Sequence, residues 1–121
     1  MRKTDIVLLE GARTPFVNIA GAFKQIRATD LGIYAAREAI KRSGISPNVI
    51  DHVVMGNVQQ SSKDAHLLAR HVGLGAGTPL HVPAVTINRV CGTGIEAILT
   101  GARYIFTGEA DDVCTNVGRI A

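Results

Sequence analysis

Short apolar runs alternate along this chain with longer stretches of helical period. Ile6-Val7-Leu8-Leu9 is a continuous apolar run of the buried-strand type, and Glu10-Gly11-Ala12-Arg13-Thr14-Pro15 punctuates it. After an irregular segment, Thr29 is expected to cap a helix. Its apolar face is Ile33, Ala36 and Ile40 with Ala35 and Ala39, and its polar face is Asp30, Tyr34, Arg37, Glu38, Lys41 and Arg42. Gly44 closes that helix in the left-handed position. Ser46-Pro47 starts a single turn, and a second strand follows over His52–Val58. A second helix is expected from about Asp64 to Val72, stopped by Gly73-Leu74-Gly75-Ala76-Gly77. Ala84–Asn88 is the third strand.

The third helix has the cleanest period in the chain. Ile95, Ile98, Leu99, Ala102, Ile105 and Phe106 form a large apolar stripe, and Gly108 ends the helix. Beside it runs a stripe of small residues, Gly94, Ala97 and Gly101. Glycine inside a helix costs about 1 kcal/mol against alanine, so Gly101 points to close approach of another backbone. Strands alternating with helices of this length imply parallel crossovers. The expected fold is a layered α/β domain, its sheet mixed but mainly parallel.

At 121 residues with 46% hydrophobic residues, the chain has room for one domain with a real core. Its apolar runs fall short of the roughly 18 residues that cross a bilayer, so no membrane partner is expected. The charged start, Met1-Arg2-Lys3-Thr4-Asp5, lacks the apolar core of a secretion signal, and a cytoplasmic location is the expectation. A net charge of +3 could favour an anionic partner, but the basic residues are scattered. With two tyrosines, three phenylalanines and no tryptophan there is little surface for stacking bases, so no nucleic acid is expected. Cys91 and Cys114 form no Cys-x-x-Cys pair, and His52, His66, His71 and His81 lack ligand spacing. No metal site is expected. The alternating glycines at 73–77 follow a helix and lack the order of a nucleotide fingerprint.

The most informative segment is Thr86-Ile87-Asn88-Arg89-Val90-Cys91-Gly92-Thr93-Gly94, where a β-branched run breaks into a glycine-flanked turn before the third helix. A thiol at the start of a helix faces unsatisfied N–H groups and the positive end of the helix dipole, which favour an anionic sulfur and can hold an oxyanion. Cysteine is also among the most buried residue types, and a tight strand-to-helix turn needs glycine for purely structural reasons. On the residues alone both readings stand.

Taken together, these segments resemble the N-terminal part of a thiolase, an acyltransferase that forms or cleaves 3-oxoacyl-CoA thioesters. The resemblance runs through Gly11-Ala12-Arg13-Thr14-Pro15-Phe16, Ala28-Thr29-Asp30-Leu31-Gly32, Val54-Met55-Gly56-Asn57-Val58, Ala69-Arg70-His71-Val72-Gly73-Leu74 and Val82 to Gly94. It covers about residues 5–110 of a domain assigned to 1–121, with 111–121 as a divergent tail that keeps a polar, strand-like remnant. It implies a partial thiolase-like layered domain in which Cys91 is the catalytic nucleophile, accepting an acyl group from a CoA thioester, with its own backbone N–H contributing to an oxyanion hole. CoA enters as part of the substrate, and no bound cofactor is implied.

The resemblance also has gaps. The family's activating histidine lies in a Gly-His-Pro setting and its second cysteine in a Cys-x-Gly-Gly-Gly setting, and neither occurs in this chain. Carbon–carbon bond formation needs a base beside the thioester, so turnover by the chain alone is not expected. The family's second half packs against the third helix. Without it, the small-residue face should be exposed, and association is expected with a thiolase C-terminal half or with further copies of the chain. A non-catalytic assembly module is the alternative. A cysteine hydrolase is a weaker one, because Arg89 stands where a nucleophile elbow would place glycine.

Overall fold

The structure, a computed structural model, describes residues 5–115 and, for the backbone, 118–120. The elements in chain order are β1 (Leu8–Gly11), α1 (Ala28–Ser43), β2 (His52–Gly56), α2 (Leu68–Ala76), β3 (Ala84–Ile87), α3 (Thr93–Thr107), β4 (Val113–Thr115) and β5 (Gly118–Ile120). Single 3₁₀ turns at Pro47–Val49, Ala65–Leu67 and Val90–Gly92 lead into β2, α2 and α3.

The five strands form one sheet in the order β1-β5-β4-β2-β3. β2 pairs in parallel with β3 and β4, and β5 runs antiparallel to both β4 and β1, so β5 alone is reversed. The connections β2-α2-β3 and β3-α3-β4 are the expected parallel crossovers. β2 is buried on both faces. Val53 and Met55 join the core under α1 and α2, while Val54 joins the core under α3. The result is a layered α/β fold.

The two helices on one face interlock through missing side chains. A Cβ on Gly32 of α1 would lie 2.7 Å from Val72 Cγ2 of α2, and a Cβ on Gly75 of α2 would overlap the end of the Ile33 side chain of α1. Gly73 is placed over the sheet in the same way, its absent Cβ 2.9 Å from Val53 Cγ2. This corrects the expected end of the second helix. Gly73 and Gly75 do not stop α2; they let it lie close to its neighbours, and Gly77, at φ +98°, terminates it.

Thr29 is not a cap. Arg27 occupies that position without a side-chain capping bond, and Thr29, one residue into the helix and buried, donates from Oγ1 to Asp64 Oδ2 at 2.9 Å. Gly44, at φ +69°, ends α1 as expected, and the Ser46 hydroxyl accepts from the Asn48 amide over the proline turn.

Three further expectations change. The first strand lies at the edge of the sheet with Leu8 61% exposed, because it has a hydrogen-bonded neighbour on one side only. On α3, two of the three small residues turn inward, while Gly94 stays exposed. Ala97 and Gly101 are buried with Thr93 and Ile105, while Ile95, Leu99 and Phe106 of the large apolar stripe point to solvent. Small side chains let α3 approach β2, and Thr93 rests directly on Gly56, where a Cβ would collide with its methyl group. Finally, the segment expected as a polar remnant supplies β4, buried throughout between β2 and β5. Its start is held by the Asp51 carboxylate, which accepts from the amides of Asp111 (2.8 Å) and Asp112 (3.2 Å).

Candidate active site

Cys91 is exposed, whereas Cys114 is buried in the core beneath α1 and α2. Cys91 lies in the middle of the 3₁₀ turn Val90–Gly92, between the carboxyl end of β3 and the first turn of α3. In an open α/β sheet this carboxyl edge is where ligands bind. Space around the turn is open. A Cβ built on Gly94 would meet nothing within 4 Å, and one on Gly92 would meet only the Arg89 side chain at 3.9 Å. Gly92 and Gly94, the two glycines after the cysteine, therefore border free space.

The turn is held from several sides. Asn88 Oδ1 accepts from the Val90 amide (2.9 Å), and the Gly92 amide donates to the Arg89 carbonyl (3.0 Å). The buried Thr93 hydroxyl accepts from the Arg89 amide (2.8 Å) and donates to the Val90 carbonyl (2.6 Å). Between these bonds Val90 adopts φ +47°, the left-handed region that a β-branched residue rarely enters. The ends of β2 and β3 are tied beneath the turn, with the Asn57 amide donating to the Ile87 carbonyl at 3.0 Å.

Glu96, in the first turn of α3, is bracketed by Arg103 and Arg89, each at 2.6 Å. Their guanidinium groups, Arg103 foremost, hold its carboxyl below the usual carboxylate range. A second network joins α1, the loop after β2 and α2. Asp64 accepts from Thr29 and Ser62 (2.7 Å) and contacts His71 Nδ1 at 3.0 Å, with the bond to His71 contributing most to holding its carboxyl far below the ordinary range.

The histidines do not gather at the cysteine. His52 stacks on Tyr104 with ring centroids 4.3 Å apart, and burial pushes its pKa down. His71 is engaged with Asp64, and His66 and His81 are exposed. A cavity of about 270 Å³ opens beside α1, lined by Arg13, Ala35, Met55, Asn57 and Val72 among others, but Cys91 is not part of its wall. The clamp made by Asn88, Val90 and Thr93 was missed from sequence. Its one local signal is an Asn two residues before a glycine-flanked turn, a pattern that favours side-chain-to-backbone bonding.

Comparison with known proteins places this architecture. The family profile for the thiolase N-terminal domain matches residues 6–119. Human mitochondrial 3-ketoacyl-CoA thiolase is 46% identical over 108 residues, covering 89% of this chain and 27% of the relative. An acetyl-CoA acetyltransferase from Clostridioides difficile is 43% identical over 77% of this chain and 86% of its own length. The solved structure of the human mitochondrial enzyme in complex with CoA superposes with a TM-score of 0.87 at 46% identity, covering 89% of this chain and 27% of that one. The chain thus spans about a quarter of the human enzyme that it matches. The matched span runs from before β1 into β5 and includes the cysteine turn, and the chain belongs to the thiolase family, as a representative of its N-terminal domain.

Proposed function

We propose that this chain carries the acyl-accepting part of a thiolase site, with Cys91 as the nucleophile toward a CoA thioester. The observation that carries the proposal is the exposed cysteine at the carboxyl edge of the sheet, two residues before α3 begins and followed by Gly92 and Gly94, which border open space. The sulfur attacks the thioester carbonyl carbon. A carbon–sulfur bond to Cys91 forms, the one to CoA breaks, and the proton given up by the cysteine goes to the departing CoA sulfur. One thioester replaces another, so the step is nearly balanced in free energy and can run either way. The N-terminal end of α3 beside the sulfur favours the negative charge that develops on the carbonyl oxygen.

Full turnover is assigned to this chain together with a partner. The Gly-His-Pro and Cys-x-Gly-Gly-Gly settings do not occur within these 121 residues, so the base for carbon–carbon chemistry is assigned to a thiolase C-terminal half. The outward face of α3, with Ile95 69%, Leu99 46% and Phe106 65% exposed, supports such association. It also favours the second reading, a non-catalytic assembly module.

Intact-mass measurement after incubation with acetyl-CoA separates the two. One acetyl group per chain supports the acyl-accepting role. An unmodified chain that nevertheless forms a defined complex with a separately produced thiolase C-terminal half leaves only the assembly role.

A further inference from the structure

We infer that Thr93, seated on Gly56, is a positioning residue for Cys91. This rests on the acyl-accepting role proposed above and adds the part of the chain that aims the sulfur. The peptide leading into Cys91 is set by Val90, whose φ of +47° is unfavourable for a β-branched side chain. The Val90 side chain is 66% exposed, so its own packing does not impose that conformation.

Hydrogen bonds on both sides of the residue do. Asn88 takes the Val90 amide, and Thr93 takes both the Arg89 amide and the Val90 carbonyl through one hydroxyl. Asn88 is exposed, where water competes for the same groups, whereas Thr93 is only 5% exposed. The buried hydroxyl is therefore the stronger constraint. Its own position is fixed from below, because its methyl group fills the space that a side chain on residue 56 would need.

The chain of contacts runs from β2 through Gly56 to Thr93, from Thr93 to the Arg89 amide and the Val90 carbonyl, and through the Val90–Cys91 peptide to the sulfur. Without the hydroxyl, Val90 is free to relax toward negative φ, which rotates the peptide before Cys91 and moves the thiol away from its approach to a bound thioester. Misplacement on the order of 1 Å costs about 100-fold in rate when geometry is the source of reactivity.

The test is the acylation of Cys91 by acetyl-CoA followed over a range of acetyl-CoA concentrations, in the full chain and in four variants. Thr93→Val keeps the shape and removes the hydroxyl, and the maximal rate is expected to fall between about 10- and 100-fold with little change in the half-saturating concentration. Thr93→Ser keeps the hydroxyl and is expected to stay within a few-fold of the parent. Gly56→Ala should lower the rate by pushing Thr93 up, and Gly56→Ala combined with Thr93→Ser should recover it, because serine lacks the colliding methyl group.

Thermal melts of the same samples identify any variant that does not fold. If Thr93→Val is one of these, the comparison of Gly56→Ala with the double variant decides. Equal rates in the parent and Thr93→Val, or no recovery in the double variant, overturn the positioning role. A parent chain that is not acylated at all overturns the acyl-accepting role itself.

Discussion

Replacing Val72 by alanine, Gly32 by alanine, and both together probes how α1 and α2 are fitted to each other. Val72 is fully buried, and its loss of two methyl groups removes about 1.6 kcal/mol of transfer free energy at ~0.8 kcal/mol per group. A small void term brings the cost of Val72→Ala to about 2 kcal/mol, kept low because the site already borders the cavity beside α1. Gly32→Ala alone places a Cβ 2.7 Å from Val72 Cγ2. Overpacking of that kind costs about 1–3 kcal/mol, offset by about 1 kcal/mol of better helix propensity, for a net loss of about 1 kcal/mol. With Val72 cut back to alanine, what remains is its Cβ at 3.8 Å, an ordinary contact. Gly32→Ala should then stabilise by about 1 kcal/mol, a coupling of about 2 kcal/mol between the two positions. Urea unfolding followed by far-UV circular dichroism suits a chain without tryptophan and gives all four stabilities if the slopes stay equal. Coupling below about 0.5 kcal/mol would mean that the two side chains do not share this space, and the account of why these glycines lie inside helices would fail.

Two further outcomes are expected. Substituting Ile95→Lys, Leu99→Glu and Phe106→Lys together should leave the melting temperature nearly unchanged, since these side chains already face solvent, and should reduce concentration-dependent association in sedimentation velocity. Unchanged association would remove this face as the cause. Asp64 has a folded-state pKa below its unfolded value, so its contribution to stability is complete above the ordinary carboxylate pKa and is lost as pH falls toward the depressed one. Asp64→Asn should accordingly be less stable than the parent near neutrality, with the difference shrinking below about pH 4 in urea titrations; a difference that does not shrink would assign the effect to packing.

Features governed by local chemistry were legible in the sequence. Gly44 and Gly108 end their helices in the left-handed region, Ser46-Pro47 begins a turn, and the cysteine sits in a glycine-flanked turn between strand and helix. What was not legible depends on distant neighbours. Gly73 and Gly75 look like helix stops until Val53 and Ile33 are seen to occupy the places of their side chains. The inward face of α3 was only partly legible for the same reason: Ile105 of the large stripe is buried as expected, but most of that stripe is not. Period alone directs the larger apolar stripe inward, but the close approach of β2 at Gly56 selects the small side chains, leaving Ile95 and Phe106 outside. Thr29 has the residue type of a cap, yet a carboxylate on another segment, Asp64, claims its hydroxyl. Ile6 to Leu9 has the composition of an interior strand, and its place at the sheet edge is set by which strands pair.

The central claim is that the exposed thiol, and not the buried one, takes an acyl group from CoA. Peptide mapping after exposure to isotopically labelled acetyl-CoA measures this directly in the parent, Cys91→Ser and Cys114→Ser chains. Label on the peptide containing Cys91, abolished in Cys91→Ser and retained in Cys114→Ser, is the predicted result. Label that survives in Cys91→Ser, or none in a folded parent chain, would contradict it.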